Sequence, residues 1–404
     1  MVTDAELKRH GLAWNLHARV DVPRDEIVTA LNSYTPVTSE RNVWFFWDQG
    51  FEKMPPWIQR SVINCVRRHD TSWTFRLLNT VPDSPNHVLN YVDKSDFPAG
   101  ATDGRFSHAE AAQHISDFTR VAVVYRYGGI YLDPGMILFR DLDKICWDAL
   151  EDPKSHYEVA TMITTALNPF AILNFFVAAR KNDPFIYRWK QVFLQVWQNR
   201  THSVGLHAHP LLRHLPLTCV NVDGIPVDAD WTSFNDYIAL TKSFERVRLN
   251  REPGADGFDG PEYFRNRFFN LDYCEIYRTQ MQYGEEKIHQ LLTLPRENCP
   301  YGNPVDDVKN QDEASRVIHD LLANSAGTKY SNAGNAHANM TSFSIAEHWG
   351  RPEHAEDDCQ PGTWGEYLRY GSVHFRQTRA IVPISIPEEI PRITEVGLYE
   401  YVLD

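Results

Sequence analysis

The stretch Ser107 to Asp141, SHAEAAQHISDFTRVAVVYRYGGIYLDPGMILFRD, decides the fold. Ile115, Phe118, Ala122 and Tyr125 recur at helical spacing and Val121 and Val124 widen the stripe, which predicts an amphipathic helix packed on a sheet. Asp117 and Arg120 lie three apart, so both project from nearly the same side of that helix. Gly128 and Gly129 suit a helix end that needs a positive φ, and Ile130-Tyr131-Leu132 follows as a short apolar strand closing on Asp133. An acid at the carboxyl end of a buried strand, facing an Asp/Arg pair on the preceding helix, stands where open α/β sheets hold ligands. Asp133-Pro134-Gly135 also reads as a plain β-turn, with Pro second and Gly third.

Upstream, Val43-Trp44-Phe45-Phe46-Trp47 is a continuous aromatic run suited to a first buried parallel strand. Met54-Pro55-Pro56 opens an amphipathic helix through Val66, and Trp73 to Leu78 alternates like a second strand, giving a βαβ beginning. Downstream, Met136 to Phe139 reads as a strand. Asp141 and Asp143 read as a surface turn or helix cap. Ala380 to Ile384 and Leu398 to Leu403 look strand-like, with Pro383 favouring a sheet edge.

The chain's 404 residues allow one large domain with insertions, or two domains. With 43% hydrophobic and 12% aromatic residues it can fill a core. Its 53 acidic and 40 basic residues give a net charge of -13, which argues against a nucleic-acid binder and against a basic membrane-surface protein. Six cysteines without CxxC spacing fit a reduced compartment best, while their even number leaves disulfides open, and no stretch approaches a transmembrane span or a signal core. The expected location is cytoplasmic.

Ser116-Asp117-x-x-Arg120 followed by Tyr127-Gly128-Gly129-Ile130-Tyr131-x-Asp133 resembles the donor-sugar signature of a glycosyltransferase superfamily. That group includes the fungal initiating mannosyltransferases, capsular-polysaccharide transferases and the clostridial glucosylating toxins. The resemblance covers roughly residues 42 to 190, and the order, spacing and residue types match up to Asp133. It implies a GT-A (Rossmann-like) α/β fold with a mostly parallel sheet and helical additions. The expected boundaries are an N-terminal helical extension over 1–40, a catalytic domain over 41–350 with an insertion around 200–330, and a C-terminal tail over 351–404 packing on it.

It also implies retaining transfer of a hexose, UDP-glucose being the default donor, to a hydroxyl acceptor that is a small molecule or glycan. Asp117, Arg120 and Asp133 would be the catalytic residues. Trp44 would stack on the base, although a tryptophan in such a strand also serves as plain core. Tyr131, Asn174, His348 and Trp349 would complete the donor site, Asn174 through its segment Asn174 to Phe185 and His348-Trp349 through an imperfect late motif. His337 begins a second version of that motif.

The superfamily's DXD pattern carries a second aspartate, a ligand of the divalent cation, where this chain has Gly135. The resemblance still implies Mn²⁺ or Mg²⁺ on Asp133 and His337, because a diphosphate supplies two oxygen ligands itself. Replacement of the cation by cationic side chains, or loss of turnover leaving an inactive nucleotide-sugar or glycan-binding protein, are the other readings of Gly135.

Overall fold

The structure, a computed structural model, describes residues 2–222, 225–296, 308–330, 343–386 and 393–402. Its organising elements in chain order are β1 (Asn42–Phe46), α1 (Pro56–Arg68), β2 (Thr74–Leu78), α2 (Ala111–Tyr127), β3 (Gly129–Leu132) and β4 (Met136–Leu138). There follow β5 (Val159–Thr164), β6 (Ala171–Ala179), α3 (Pro184–Val196), α4 (Trp231–Tyr237), α5 (Ala239–Arg248) and β7 (Phe268–Asp272). The last are α6 (Cys274–Tyr283), α7 (Val308–Asn324), β8 (Gly327–Lys329) and α8 (Trp364–His374).

The aromatic run that opens the sheet shows how sequence becomes layers. Successive side chains of a strand point to opposite faces. Val43 and Phe45 therefore join one core, with side chains of α1, α7 and α8, while Trp44 and Phe46 join the other, with α2, α3 and α5. The sheet between them has six strands in the order β7-β5-β6-β3-β1-β2. β6 runs antiparallel to both neighbours, and the remaining adjacent pairs are parallel. The expected mostly parallel α/β sheet is what the chain forms. A strand buried on both faces needs apolar residues throughout, and β1, β3 and β5 are buried at every position.

Helix α2 follows its predicted period, and Phe118, Val121, Ala122 and Val124 are all buried. Gly128 ends it with φ 71° and Gly129 enters β3 with φ 98°. At Gly129 the strand lies so close to β1 that a Cβ would stand 2.4 Å from the Asn42 carbonyl oxygen. Asp183 starts α3 as an N-cap, its carboxylate accepting from the backbone N–H groups of Phe185 and Ile186.

Part of the stretch read as an insertion belongs to the central layer, since β7 pairs with β5. The N-terminal segment supplies a strand, Leu12–Trp14, that pairs with Phe375–Gln377 just after α8. Residues 380–384 do not form the strand expected of them. Pro383 has no N–H to donate to a ladder, and the segment meets the sheet through the Ile384 N–H bonded to Asn270 on the edge strand β7 at 2.8 Å.

The double glycine is therefore a packing requirement as well as a helix end. Gly129→Ala combines a positive φ with a backbone collision and is expected to cost about 3 kcal/mol of unfolding free energy. Gly104→Ala, at φ 66° with open space around it, is expected to cost only about 1 kcal/mol. Urea midpoints at unchanged m-value check this, and equal losses at the two positions would contradict it.

Candidate active site

The carboxyl ends of β1, β3 and β5 open into a cavity of about 1330 Å³ whose floor is formed by Asp117, Arg120, Tyr131, Asp133 and Lys329. Arg120 is the hub. Its Nη1 donates to the Asn174 carbonyl at 2.7 Å and its Nη2 to the Ser116 hydroxyl at 3.1 Å. The same Nη2 lies 3.2 Å from Asp117 and 3.6 Å from Asp133, and the guanidinium stacks 4.6 Å above the Tyr131 ring. Tyr131 is held in turn, its hydroxyl 2.6 Å from Ser116 Oγ. The helix pair and the strand-terminal acid that the sequence brings into register thus meet around one cation.

Two backbone devices aim these groups. β6 carries a bulge: Thr161 stands opposite Val177, whereas the next residue, Met162, stands opposite Leu173. The extra residues Asn174 to Phe176 bend the strand, so that the Asn174 carbonyl reaches Arg120 and the Phe175 carbonyl receives the Asp133 N–H at 2.9 Å. The Asp133-Pro134-Gly135-Met136 turn closes with the Met136 N–H on the Asp133 carbonyl at 3.1 Å. The plain β-turn is therefore present, and it leaves Asp133, Pro134 and Gly135 lining the cavity.

Lys329 is the site residue that sequence reasoning missed. β8 pairs antiparallel with β4, placing Lys329 opposite Met136, the residue after Gly135. Its Nζ lies 3.5 Å from Asp133 Oδ2 and 5.4 Å from the Phe175 ring centroid. Burial pulls its ammonium below the ordinary lysine range, and Asp133 opposes that shift. Burial works against the charge of Arg120 as well, yet Asp117, Tyr131 and Asp133 together hold it above the ordinary range. Asp117 is pushed up to about 7 by burial, with Asp133 adding to the rise and Arg120 opposing it. Glu285, on the cavity wall, is likewise pushed up to about 7 by burial.

Asn174 lines the cavity, but Trp44 does not. It is fully buried, donates from Nε1 to the Gly128 carbonyl at 3.0 Å and stacks on Tyr127 at 5.6 Å. It sits too deep along β1 to meet a base, and Phe46 and Trp47, at the strand's carboxyl end, reach the cavity instead. Trp349 is also core, packed edge-on against Trp57 and Tyr330. His348 is outside the cavity lining, with Nε2 3.1 Å from Asp357 and its ring stacked 3.8 Å from His354. The helix Ile345–Trp349 turns its tryptophan inward and leaves the histidine with this separate group. His337 lies outside the described residues.

The residues described around Asp133 do not fit a divalent cation. A hard cation of this kind takes about six oxygen ligands, several of them from carboxylates or waters. Here Asp133 is faced by Arg120 on one oxygen and by Lys329 on the other, while Gly135 offers no side-chain donor. Among the described residues the cluster with metal-ligand spacing is His289, His348 and Asp357, which does not include Asp133.

An acid, a guanidinium and an ammonium converging at the ends of a mostly parallel sheet form a seat for an anionic, hydroxyl-rich ligand. A family model described as Capsular polysaccharide synthesis protein matches residues 23–208, which hold α2, β3 and β6. O-glycosyltransferase braB of Annulohypoxylon truncatum is 38% identical over 95% of this chain and 91% of its own length. Probable glycosyltransferase FCK3 of Fusarium pseudograminearum is 36% identical over 94% of this chain and 95% of its own. O-glycosyltransferase PaGT of Phomopsis amygdali is 33% identical over 93% of this chain and 92% of its own. Relatedness at that level covers nearly the whole chain, and the chain belongs to this family of glycosyltransferases.

Proposed function

We propose that this glycosyltransferase is a retaining enzyme with a GT-A arrangement that moves a hexose from a nucleoside diphosphate sugar, UDP-glucose by default, to a hydroxyl of a small lipophilic acceptor. The observation that carries the reading is the convergence of Asp117 and Asp133 on Arg120 at the cavity floor, with Lys329 on the other oxygen of Asp133. Asp117 accepts hydrogen bonds from sugar hydroxyls, and Asp133 takes ribose and sugar hydroxyls. Arg120 holds the sugar or phosphate in a charge-assisted contact, and Asn174 lies beside the transferred sugar. Trp47, half-buried at the cavity rim, takes over from Trp44 as the platform for the base.

Retention needs no protein nucleophile when the leaving diphosphate takes the acceptor's proton on the same face of the sugar. The protein then contributes orientation and charge compensation. The acceptor class is supported by the cavity lining, to which Trp231, Phe234, Tyr277, Met281, Tyr283 and Phe343 contribute apolar surface with phenol groups among it. Two relatives named as O-glycosyltransferases support a hydroxyl as the acceptor group. We place the reaction in the cytoplasm, in keeping with the free thiols of Cys65, Cys146, Cys274 and Cys359. Among the described residues no helix is long and apolar enough to cross a membrane.

A panel of UDP-glucose, UDP-galactose, UDP-GlcNAc and GDP-mannose, followed by NMR of released or transferred sugar, tests the reading. UDP-glucose is expected to be consumed with its anomeric configuration kept, and Asp133→Asn to lower kcat about 10²-fold or more. Background release from every donor, equal in wild type and variant, would overturn the proposal.

Asp117 accepts from sugar hydroxyls as a carboxylate, and its folded-state pKa of about 7 stands above the ordinary 3.8. Protonation therefore removes an acceptor as the pH falls through neutrality. The donor kcat/KM is expected to rise with pH through about 7 and then level off. A profile that stays flat across that range contradicts the assigned role.

A further inference from the structure

We propose that the Lys329 ammonium, with Arg120, carries the charge of the leaving diphosphate that a divalent cation carries in the resembled transferases, so that this chain transfers sugar without a metal. This rests on the nucleoside diphosphate donor proposed above.

Three observations point the same way. The position that supplies a second carboxylate ligand in the superfamily pattern is Gly135, and the tight turn there is closed by backbone alone. Directly across from that turn, the β4–β8 pairing delivers a lysine whose side chain is only 9% exposed and whose Nζ stands 3.5 Å from Asp133. Both oxygens of Asp133 are then faced by fixed cations, Arg120 on one side and Lys329 on the other. A lost anion and an added cation change the local charge in the same direction, towards a site that receives a diphosphate without help from a metal.

Stability alone gives no reason for this lysine. Desolvating an ammonium costs several kcal/mol, and an apolar residue of similar volume generally serves a core as well or better. Its value lies in being fixed in place before the reaction. Donors held in position in a dry site act on developing charge with no reorganisation during the reaction.

In the step itself, the bond between the sugar's anomeric carbon and the phosphate oxygen breaks, and both electrons stay on that oxygen. The acceptor oxygen bonds to the anomeric carbon from the same face, and its proton passes to the departing phosphate oxygen. Lys329 remains an ammonium throughout and donates a charge-assisted hydrogen bond to the diphosphate.

The test uses whichever donor of the panel is turned over. Wild-type enzyme stripped with EDTA is expected to keep the turnover it shows with Mn²⁺. Lys329→Met is expected to lower kcat about 10²- to 10³-fold with a much smaller change in donor KM, and Lys329→Arg to retain part of the rate. Melting temperatures of the two variants separate lost chemistry from lost folding, and the EDTA arm on wild type needs no variant at all. Turnover that disappears in EDTA and returns with Mn²⁺ overturns the inference and leaves the donor reading standing. So does a folded Lys329→Met enzyme as fast as wild type. No turnover of any donor, with or without metal, defeats the donor reading instead.

Discussion

The buried guanidinium of Arg120 ties the site together. It bonds the bulged strand β6 through the Asn174 carbonyl, its own helix through Ser116, and two carboxylates, Asp117 and Asp133, which arrive from different elements. A desolvated cation shared in this way adds little net stability, because the cost of burying the charges offsets their attraction. What it provides is position. Each partner has one place to be, and those places surround the floor of a single cavity at the end of the sheet.

The arrangement depends on the sheet closing tightly beneath it. Gly129 lets β3 approach β1, so that Tyr131 pairs with Trp44 in register and presents its ring under Arg120. Two residues after Tyr131, the chain has left the sheet at Asp133 and turned back through Pro134 and Gly135. That return creates β4, against which β8 lays Lys329. The turn has glycine where the resembled superfamily pattern has an aspartate, and Lys329 lies across from it. In a chain of net charge -13, positive charge is concentrated at chosen points such as this one.

The helix and the strand after it were legible because their signals are local. Periodicity of 3.6 marked α2, a glycine pair marked its end, and an i,i+3 spacing placed Asp117 beside Arg120. Trp44 shows where such reading stops. Alternation tells which face of a sheet a residue takes, but not how far along the strand the cavity begins, so Trp44 went to the core and Trp47 to the rim. His348 and Trp349 were misplaced for a similar reason, since a short helix can turn its apolar side chain inward and leave the neighbouring histidine to other partners. The bulge at Asn174 and the lysine at 329 carry no local signal. One is a register shift against a neighbouring strand, and the other belongs to a three-residue strand whose partner lies far back in the chain.

The central claim is spatial: one activated sugar lies over Arg120, with its hydroxyls on the two acids and its diphosphate towards the ammonium. A crystal structure of the chain with an unreactive UDP-glucose analogue tests it most directly. The account predicts sugar hydroxyls within hydrogen-bond distance of Asp117 and Asp133, and diphosphate oxygens within that distance of Lys329 or Arg120. A nucleotide bound with these four side chains turned away from it would contradict the account.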